Sequence, residues 1–237
     1  MNPDLSVVVP LFNEAETVRE LTDRIHRAVS SLDSSLEVIL VDDASRDATA
    51  TQLDQLASEG LVRAVHLPSN RGQLGATLAG LAVAEGDWVA VLDGDLQDPP
   101  ELLGTLLDAA RSEAASVDVV FAVKLARADP GWMRLGSHLY GLLGRALSTR
   151  FPPLGAGSYC LMTRSLVQRL RVARAPNSAN LSALICALGV RARTVPYAKA
   201  ARRDGVSRVG FRGLVVEAVG SLWLLYPSRR RRGIRYE

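Results

Sequence analysis

Short β-branched runs alternate with longer stretches rich in Ala, Leu, Glu and Arg through the first half of this chain, and that alternation leaves few folds open to it. Apolar runs stand at 6–9, 38–41, 62–67, 88–92 and 117–123, with helix-like stretches at 14–32, 47–59, 73–84 and 100–115. Strands alternating with helices of this length predict βαβ units and a parallel sheet. The strands read as nearly unbroken apolar runs, as suits strands covered on both faces. The expected fold class is therefore α/β: a single, mostly parallel, Rossmann-like sheet flanked by helices on both sides.

The polar residues that close these runs point to a site. The run at 88–92 leads into Asp93 and Asp95, followed by Gln97, Asp98 and a double proline. At positions i and i+2 of a strand the two carboxylates face the same way. Both can then meet one divalent cation, and hard oxygen ligands suit Mg²⁺ or Mn²⁺ shared with a substrate diphosphate. Gly94 between them is read as room for a substrate against the backbone. Asp98, ahead of Pro99 and Pro100, is read as the cap of the next helix. The run at 38–41 ends in Asp42 and Asp43, and the first run leads into Asn13 and Glu14. Three strands thus deliver polar groups to one sheet edge, the edge at which open α/β sheets bind ligands. Pro10, Asn13 and Glu14 lie where strand turns into helix, so backbone N–H groups and a carboxylate can hold a base and ribose. Simple helix capping is the other reading of Asn13 and Glu14. Asn70, Gly72 and Gln73 form a glycine-bearing strand-to-helix turn that either packs beside a ribose or merely shapes the chain.

The second half is less regular. Residues 132–149 read as a helix with an apolar leucine face, 151–159 (FPPLGAGSY) as a loop, 160–162 as a short strand, 181–188 as a helix and 193–197 as a strand. Residues 202–213 read as a basic, glycine-punctuated loop and 214–225 as a helix, before a solvated basic tail. From Arg191 onward there are 12 Lys and Arg against 3 Asp and Glu, a net of +9; the remainder holds 16 against 22, a net of −6. A basic end on an acidic body suggests an anionic partner. The two cysteines lack metal-type spacing and suit a reducing compartment. Neither a signal peptide nor an apolar stretch of membrane-spanning length is read in the sequence. His26, His66 and His138 have no partner motif and read as surface or packing residues. The turn after the first strand is PLFNEAE, not G-x-G-x-x-G, which argues against a dinucleotide-dependent oxidoreductase.

Four segments, VVVPLFNEAETV (7–18), VILVDDASRDAT (38–49), NRGQLGATLAGL (70–81) and LDGDLQDPPEL (92–102), occur in this order. With them the chain resembles family-2 glycosyltransferases, and among those the polyprenyl-phosphate glycosyltransferases, over residues 5–225. The resemblance implies a GT-A fold and inverting, metal-dependent transfer of a sugar from a UDP- or GDP-linked donor to a polyprenyl phosphate. It implies nucleotide contacts at Pro10, Glu14 and Asp42, with Asp93 near the ribose and metal; Asn13, Asn70 and Gly72 complete the candidate donor-binding residues, and Asp43 is read as ordering the turn before Asp47 while Asp42 reads the base. Asp93, Asp95 and Gln97 become the metal set. Lys124, Arg127 and Arg134 match cation positions after the fifth strand. Arg202, Gly205, Ser207 and Arg208 match an R-x-x-G-x-S-K pattern in which Arg replaces the usual Lys, a swap that still permits bidentate phosphate binding. Asp93, Asp95, Arg202 and Ser207 are the catalytic candidates.

Two departures bear on the acceptor. Ser158 stands where such proteins usually carry an Asp near the acceptor, and many relatives continue into transmembrane helices. A lipid acceptor would then be met at an anionic membrane surface, with 214–226 and the arginines at 229–232 in the interface, or through a membrane-anchoring subunit. Residues 1–226 are expected to form the catalytic domain, with a nucleotide-binding half to about 125 and an acceptor half beyond it, and 227–237 a basic tail. The expected location is cytoplasmic, peripheral at the inner face of the plasma membrane. The competing readings are the same donor chemistry with a soluble phosphate-bearing acceptor, and a non-catalytic nucleotide-sugar-binding protein. The acidic body and the lack of interleaved aromatics argue against nucleic acid as a partner.

Overall fold

A computed structural model describes residues 2–32, 34–112, 117–125, 152–173, 179–198 and 220. Seven strands form one sheet: β1 (Leu5–Leu11), β2 (Leu36–Asp42), β3 (Arg63–His66), β4 (Trp88–Val91), β5 (Val119–Lys124), β6 (Ala156–Thr163) and β7 (Ala192–Tyr197). Their order is β3-β2-β1-β4-β6-β5-β7. The β1, β2, β3 and β4 pairings are parallel, β6 runs antiparallel to both β4 and β5, and β7 is parallel to β5. The sheet is thus mixed, with β6 alone reversed among the described strands.

Six described helices cover it: α1 (Val18–Ser30), α2 (Thr49–Ser58), α3 (Gly72–Val83), α4 (Leu103–Arg111), α5 (Arg164–Val172) and α6 (Leu181–Ala187). β1 shows why both faces are covered. Successive strand side chains point to opposite faces. Val7 and Val9 enter a core with α1, α2 and α4, through Leu21, Ile25, Leu53 and Leu106. Val8 enters a second core with α3, α5 and α6, through Leu74, Leu166 and Leu184. The edge strand β3 is short, and its end residues Arg63 and His66 are exposed, which discourages pairing with another sheet.

The first-half elements stand close to where the periodicity puts them, with informative shifts. Helix α1 starts at Val18 rather than 14, because Asn13 takes a left-handed φ of 54° and residues 13–15 turn their N–H groups to the next loop. The expected strand 88–92 closes at Val91, so Asp93 and Asp95 lie in the turn beyond it. Residues 156–159, read as loop, are the first half of β6. Their Ala, Gly and Ser carry no β-branched signal, and pairing with β5 extends them. Helix α5 was not anticipated. Its signal was present: Leu166, Val167 and Leu170 form its buried stripe, and the Thr163 hydroxyl caps it by accepting from the Leu166 N–H at 3.3 Å. The expected helices at 132–149 and 214–225 and the loop at 202–213 lie outside the described residues.

Candidate functional site

The carboxyl ends of β1, β2, β3, β4 and β5 and the amino end of the reversed β6 share one edge of the sheet, and the polar motifs gather there. The turn after β1 is sewn to the turn after β2. The N–H groups of Asn13, Glu14 and Ala15 donate to Ser45 Oγ, Thr49 Oγ1 and Asp47 Oδ2 at 2.9, 2.9 and 3.2 Å. Asn13 Oδ1 accepts from the Arg46 N–H at 2.8 Å. The Asn13 side chain therefore braces a neighbouring loop and does not cap α1.

Asp42, which closes β2, and Asp43 after it share out the turn-ordering differently from the sequence reading. Asp42 Oδ1 accepts from the Ser45 N–H at 3.0 Å, so Asp42 orders its own turn. His66 brings Nδ1 to 3.6 Å from Asp42 Oδ2 and Nε2 to 2.9 Å from Asp54 Oδ1; this histidine has partners after all. Asp43 reaches instead to the start of α3, accepting from the Arg71 and Gly72 N–H groups at 2.6 and 2.8 Å. Burial pushes the Asp43 carboxyl above its ordinary range, against these two amide donors. Asn70 shapes the same turn, its Oδ1 accepting from the Gly72 N–H at 3.2 Å and its Nδ2 donating to the Asp43 carbonyl at 3.3 Å.

The acidic turn is the centre of the arrangement. Val91 pairs with Cys160 in the antiparallel β4–β6 register; continued by two residues, that register sets Asp93 opposite Ser158. The Ser158 hydroxyl donates to Asp93 Oδ1 at 2.6 Å, and Gln73 Nε2, from α3, donates to the same oxygen at 2.6 Å. Asp95 Oδ1 accepts from the Gln97 N–H at 3.1 Å and its Oδ2 from Gln97 Nε2 at 2.8 Å. The space at Gly94 is not open to a substrate: a Cβ there would stand 2.3 Å from Leu11 Cδ2. Thr17 Oγ1 lies 3.1 Å from Glu14 Oε2 and 3.0 Å from the Gly94 carbonyl oxygen, joining the β1 turn to the acidic one. Leu96 holds a φ of 58°, a left-handed conformation that costs a residue with a Cβ about 1–2 kcal/mol.

Asp98 does not cap the following helix. It is buried, and its Oδ1 accepts from the Tyr197 hydroxyl of β7 at 2.5 Å. The Tyr159 hydroxyl donates to the Pro99 carbonyl at 2.9 Å. The two rings meet edge to face with centroids 5.8 Å apart. Burial, and then the Asp98 charge, raises both phenol groups well above the ordinary tyrosine range, so both keep the proton they donate.

Lys124 ends β5 at this edge, its Nζ 3.3 Å from where a Cβ on Gly157 would stand, beside Ser158. Pro10 is the penultimate residue of β1 and faces Val41 in the neighbouring strand. Arg127, Arg134, Arg202, Gly205, Ser207 and Arg208 lie outside the described residues. The fold thus brings Pro10, Asn13, Glu14, Asp42, Asn70, Gly72, Asp93, Asp95, Gln97, Lys124 and Ser158 to a common edge. It adds Thr17, Gln73, Tyr159 and Tyr197 as partners of the acidic turn. Thr17 and Gln73 stand in the motif segments; Tyr159 and Tyr197 carry no signal that ties them to the turn. For a cation the turn offers two carboxylates and an amide. Among the described residues no three His, Cys, Asp or Glu side chains gather as a metal-binding group. An all-oxygen set of few protein ligands fits Mg²⁺ or Mn²⁺, which are commonly held by one or two carboxylates together with substrate phosphates and water.

Residues 6–171 match the family model for glycosyl transferase family 2, and the chain belongs to that family. Over 140 residues it is 41% identical to the undecaprenyl-phosphate 4-deoxy-4-formamido-L-arabinose transferase of Pseudomonas paraeruginosa, covering 58% of this chain and 40% of that relative. The chain spans about half the length of the curated relatives it matches. Among solved structures it is similar to a mannosyltransferase from Pyrobaculum calidifontis in complex with GDP-Man and Mn²⁺, with a TM-score of 0.59 and 26% identity over 90% of this chain and 59% of that one. It shares the fold of glucosyl-3-phosphoglycerate synthase from Mycobacterium tuberculosis, with a TM-score of 0.68 and 21% identity over 96% of this chain and 82% of that one. The fold is that of the GT-A glycosyltransferases.

Proposed function

We propose that this protein transfers a sugar, with inversion, from a nucleoside-diphosphate donor to a polyprenyl phosphate, with Mg²⁺ or Mn²⁺ as cofactor. The observation that carries the reading is the acidic turn: Asp93, Asp95 and Gln97 sit on one sheet edge among the three other motif segments, and Gln73 and Ser158 hold Asp93 in place. The named undecaprenyl-phosphate relative supports the acceptor, and the GDP-Man and Mn²⁺ complex supports the donor class and the metal. Asp93, Asp95 and Gln97 would hold the cation, which when bound neutralises the leaving diphosphate. Asp42, Asn13 and Glu14 line the nucleotide side, and Lys124, beside Gly157 and Ser158, lies toward the phosphates. An acceptor phosphate is already anionic at neutral pH. One of its oxygens bonds to the anomeric carbon as the bond to the diphosphate breaks on the opposite face, through an oxocarbenium-like state. Such a nucleophile does not require a general base.

No described helix is long and apolar enough to cross a membrane; we place the protein at the cytoplasmic membrane surface, drawn there by its basic tail. A soluble phosphate-bearing acceptor is the second reading, favoured by Ser158, whose hydroxyl is committed to Asp93. The test is calorimetric titration of UDP and GDP, each with and without Mn²⁺. One nucleotide is expected to bind with a strong Mn²⁺ requirement. Binding of neither, with the metal present, overturns the donor assignment. Activity on a short-chain polyprenyl phosphate, compared with activity on a soluble sugar or glycerate phosphate, then separates the two acceptors.

A further inference from the structure

We propose that Tyr197 is a positioning residue for the metal-binding turn, acting through Asp98, with Tyr159 as the second arm of the same brace; this rests on the function proposed above. Tyr197 belongs to β7, three strand positions from β4 in the sheet, yet its hydroxyl reaches the turn that follows β4. The turn is gripped at both ends. At its start, Gln73 and Ser158 hold Asp93 and Thr17 holds the Gly94 carbonyl. At its end, Tyr197 holds Asp98 and Tyr159 holds the Pro99 carbonyl. Ser158 and Tyr159 are consecutive in β6, so their side chains leave opposite faces of the strand and grip the two ends from two sides. Asp95 and Gln97 lie between these anchors, on either side of the left-handed Leu96.

A residue with a Cβ stays left-handed only where its surroundings impose it. The far anchor is unusual for a core contact. Asp98 is 1% exposed and Tyr197 5%, and a buried carboxylate bears a desolvation cost that an apolar pair would avoid. What that bond supplies, and an apolar contact would not, is a fixed direction for the backbone at residues 97–99. If Tyr197 lets go, the turn keeps its near anchors but loses the constraint that sets Gln97, and through the Gln97–Asp95 hydrogen bonds the carboxylate of Asp95 as well.

The experiment uses the full chain, saturated with whichever of UDP or GDP the wild type binds, and measures the Mn²⁺ dissociation constant by calorimetry alongside thermal denaturation. Tyr197→Phe keeps the ring and its edge-to-face contact and removes only the hydroxyl. It is expected to weaken Mn²⁺ binding about tenfold, the lower end of what outer partners of metal ligands contribute, with kcat near wild type once Mn²⁺ is saturating. Asp98→Asn keeps an oxygen to accept the Tyr197 proton and is expected to stay within about twofold of wild type. A Tyr197→Phe protein that binds Mn²⁺ as the wild type does, whatever its melting temperature, overturns the inference and leaves the proposed function standing. A wild type without Mn²⁺-dependent nucleotide binding overturns the proposed function, and the inference with it. Should Tyr197→Phe fail to give a cooperative melt, Tyr159→Phe removes the other arm and is read by the same two outcomes.

Discussion

Asp95 accepts both the backbone N–H and the side-chain amide of Gln97, so it organises the turn that is proposed to hold the cation. Asp95→Ala is expected to lower metal-dependent turnover by at least about 100-fold, the scale of losing a ligand rather than a distant partner. The melting temperature should move by only a few degrees, because the turn keeps its anchors at Asp93, Gly94, Asp98 and Pro99. Steady-state kinetics with a Mn²⁺ titration, paired with a thermal melt, checks both halves; full turnover in the variant would remove Asp95 from the metal set. At this scale the residue types were legible in the sequence and their partners were not. Asp93 bonds to residues 20 and 65 positions away, and Asp98 to one 99 positions away. Only the folded sheet makes such pairs neighbours. The same gap explains the reading of Gly94 as substrate space, where Leu11 of an adjoining strand stands, and of Asp98 as a cap, where a tyrosine from the far edge strand claims the carboxylate.

The elements were legible wherever periodicity alone decides them, and blurred where pairing decides. β1, β2 and β4 are apolar runs that no helix period fits, and the stripe of Val18, Leu21, Ile25 and Val29 admits only a helix. The first half of β6 has no such pattern and is extended by its ladder with β5. The start of α1 is displaced because its would-be first turn donates to the β2–α2 loop. Helix α3 shows how closely an element must dock to place its functional end. Gly80 lies against the sheet, where an added Cβ would come within 2.4 Å of Val8 Cγ1 and 2.9 Å of Val41 Cγ2. Gly80→Ala favours the helix intrinsically but overpacks this contact. It is expected to destabilise the protein by about 1–3 kcal/mol and to lower the melting temperature by several degrees. Because α3 carries Gln73, the kcat/KM should fall as the helix is pushed from the sheet. A thermal melt equal to wild type would show that the helix can retreat without loss.

On the scale of the whole molecule the dominant feature is charge asymmetry, and it was legible because it needs no fold. The chain up to residue 190 carries a net of −6 and the remainder +9. The acidic part contains the turn proposed to hold a cation, and the basic part would meet the anions: a diphosphate, an acceptor phosphate or a headgroup layer. A free acidic body is repelled by an anionic bilayer, so surface binding falls to the arginines. Residues 228–237 hold five Arg and one Glu, and each basic residue near an anionic leaflet contributes about 1 kcal/mol, within a Debye length of about 10 Å at 0.1 M salt. Deleting residues 228–237 is therefore expected to weaken co-sedimentation with phosphatidylglycerol vesicles by at least about tenfold at low salt. The difference should shrink as salt rises, and neutral phosphatidylcholine vesicles should show none. Donor binding by the truncated chain should match wild type, since the deletion spares every residue proposed to meet the nucleotide or the phosphates. If the shortened chain sediments with anionic vesicles as the full chain does, the arginines are solvated charge without a lipid partner. The soluble phosphate acceptor then becomes the stronger reading, because a polyprenyl phosphate is reached only by an enzyme that stays at the bilayer surface long enough to find it.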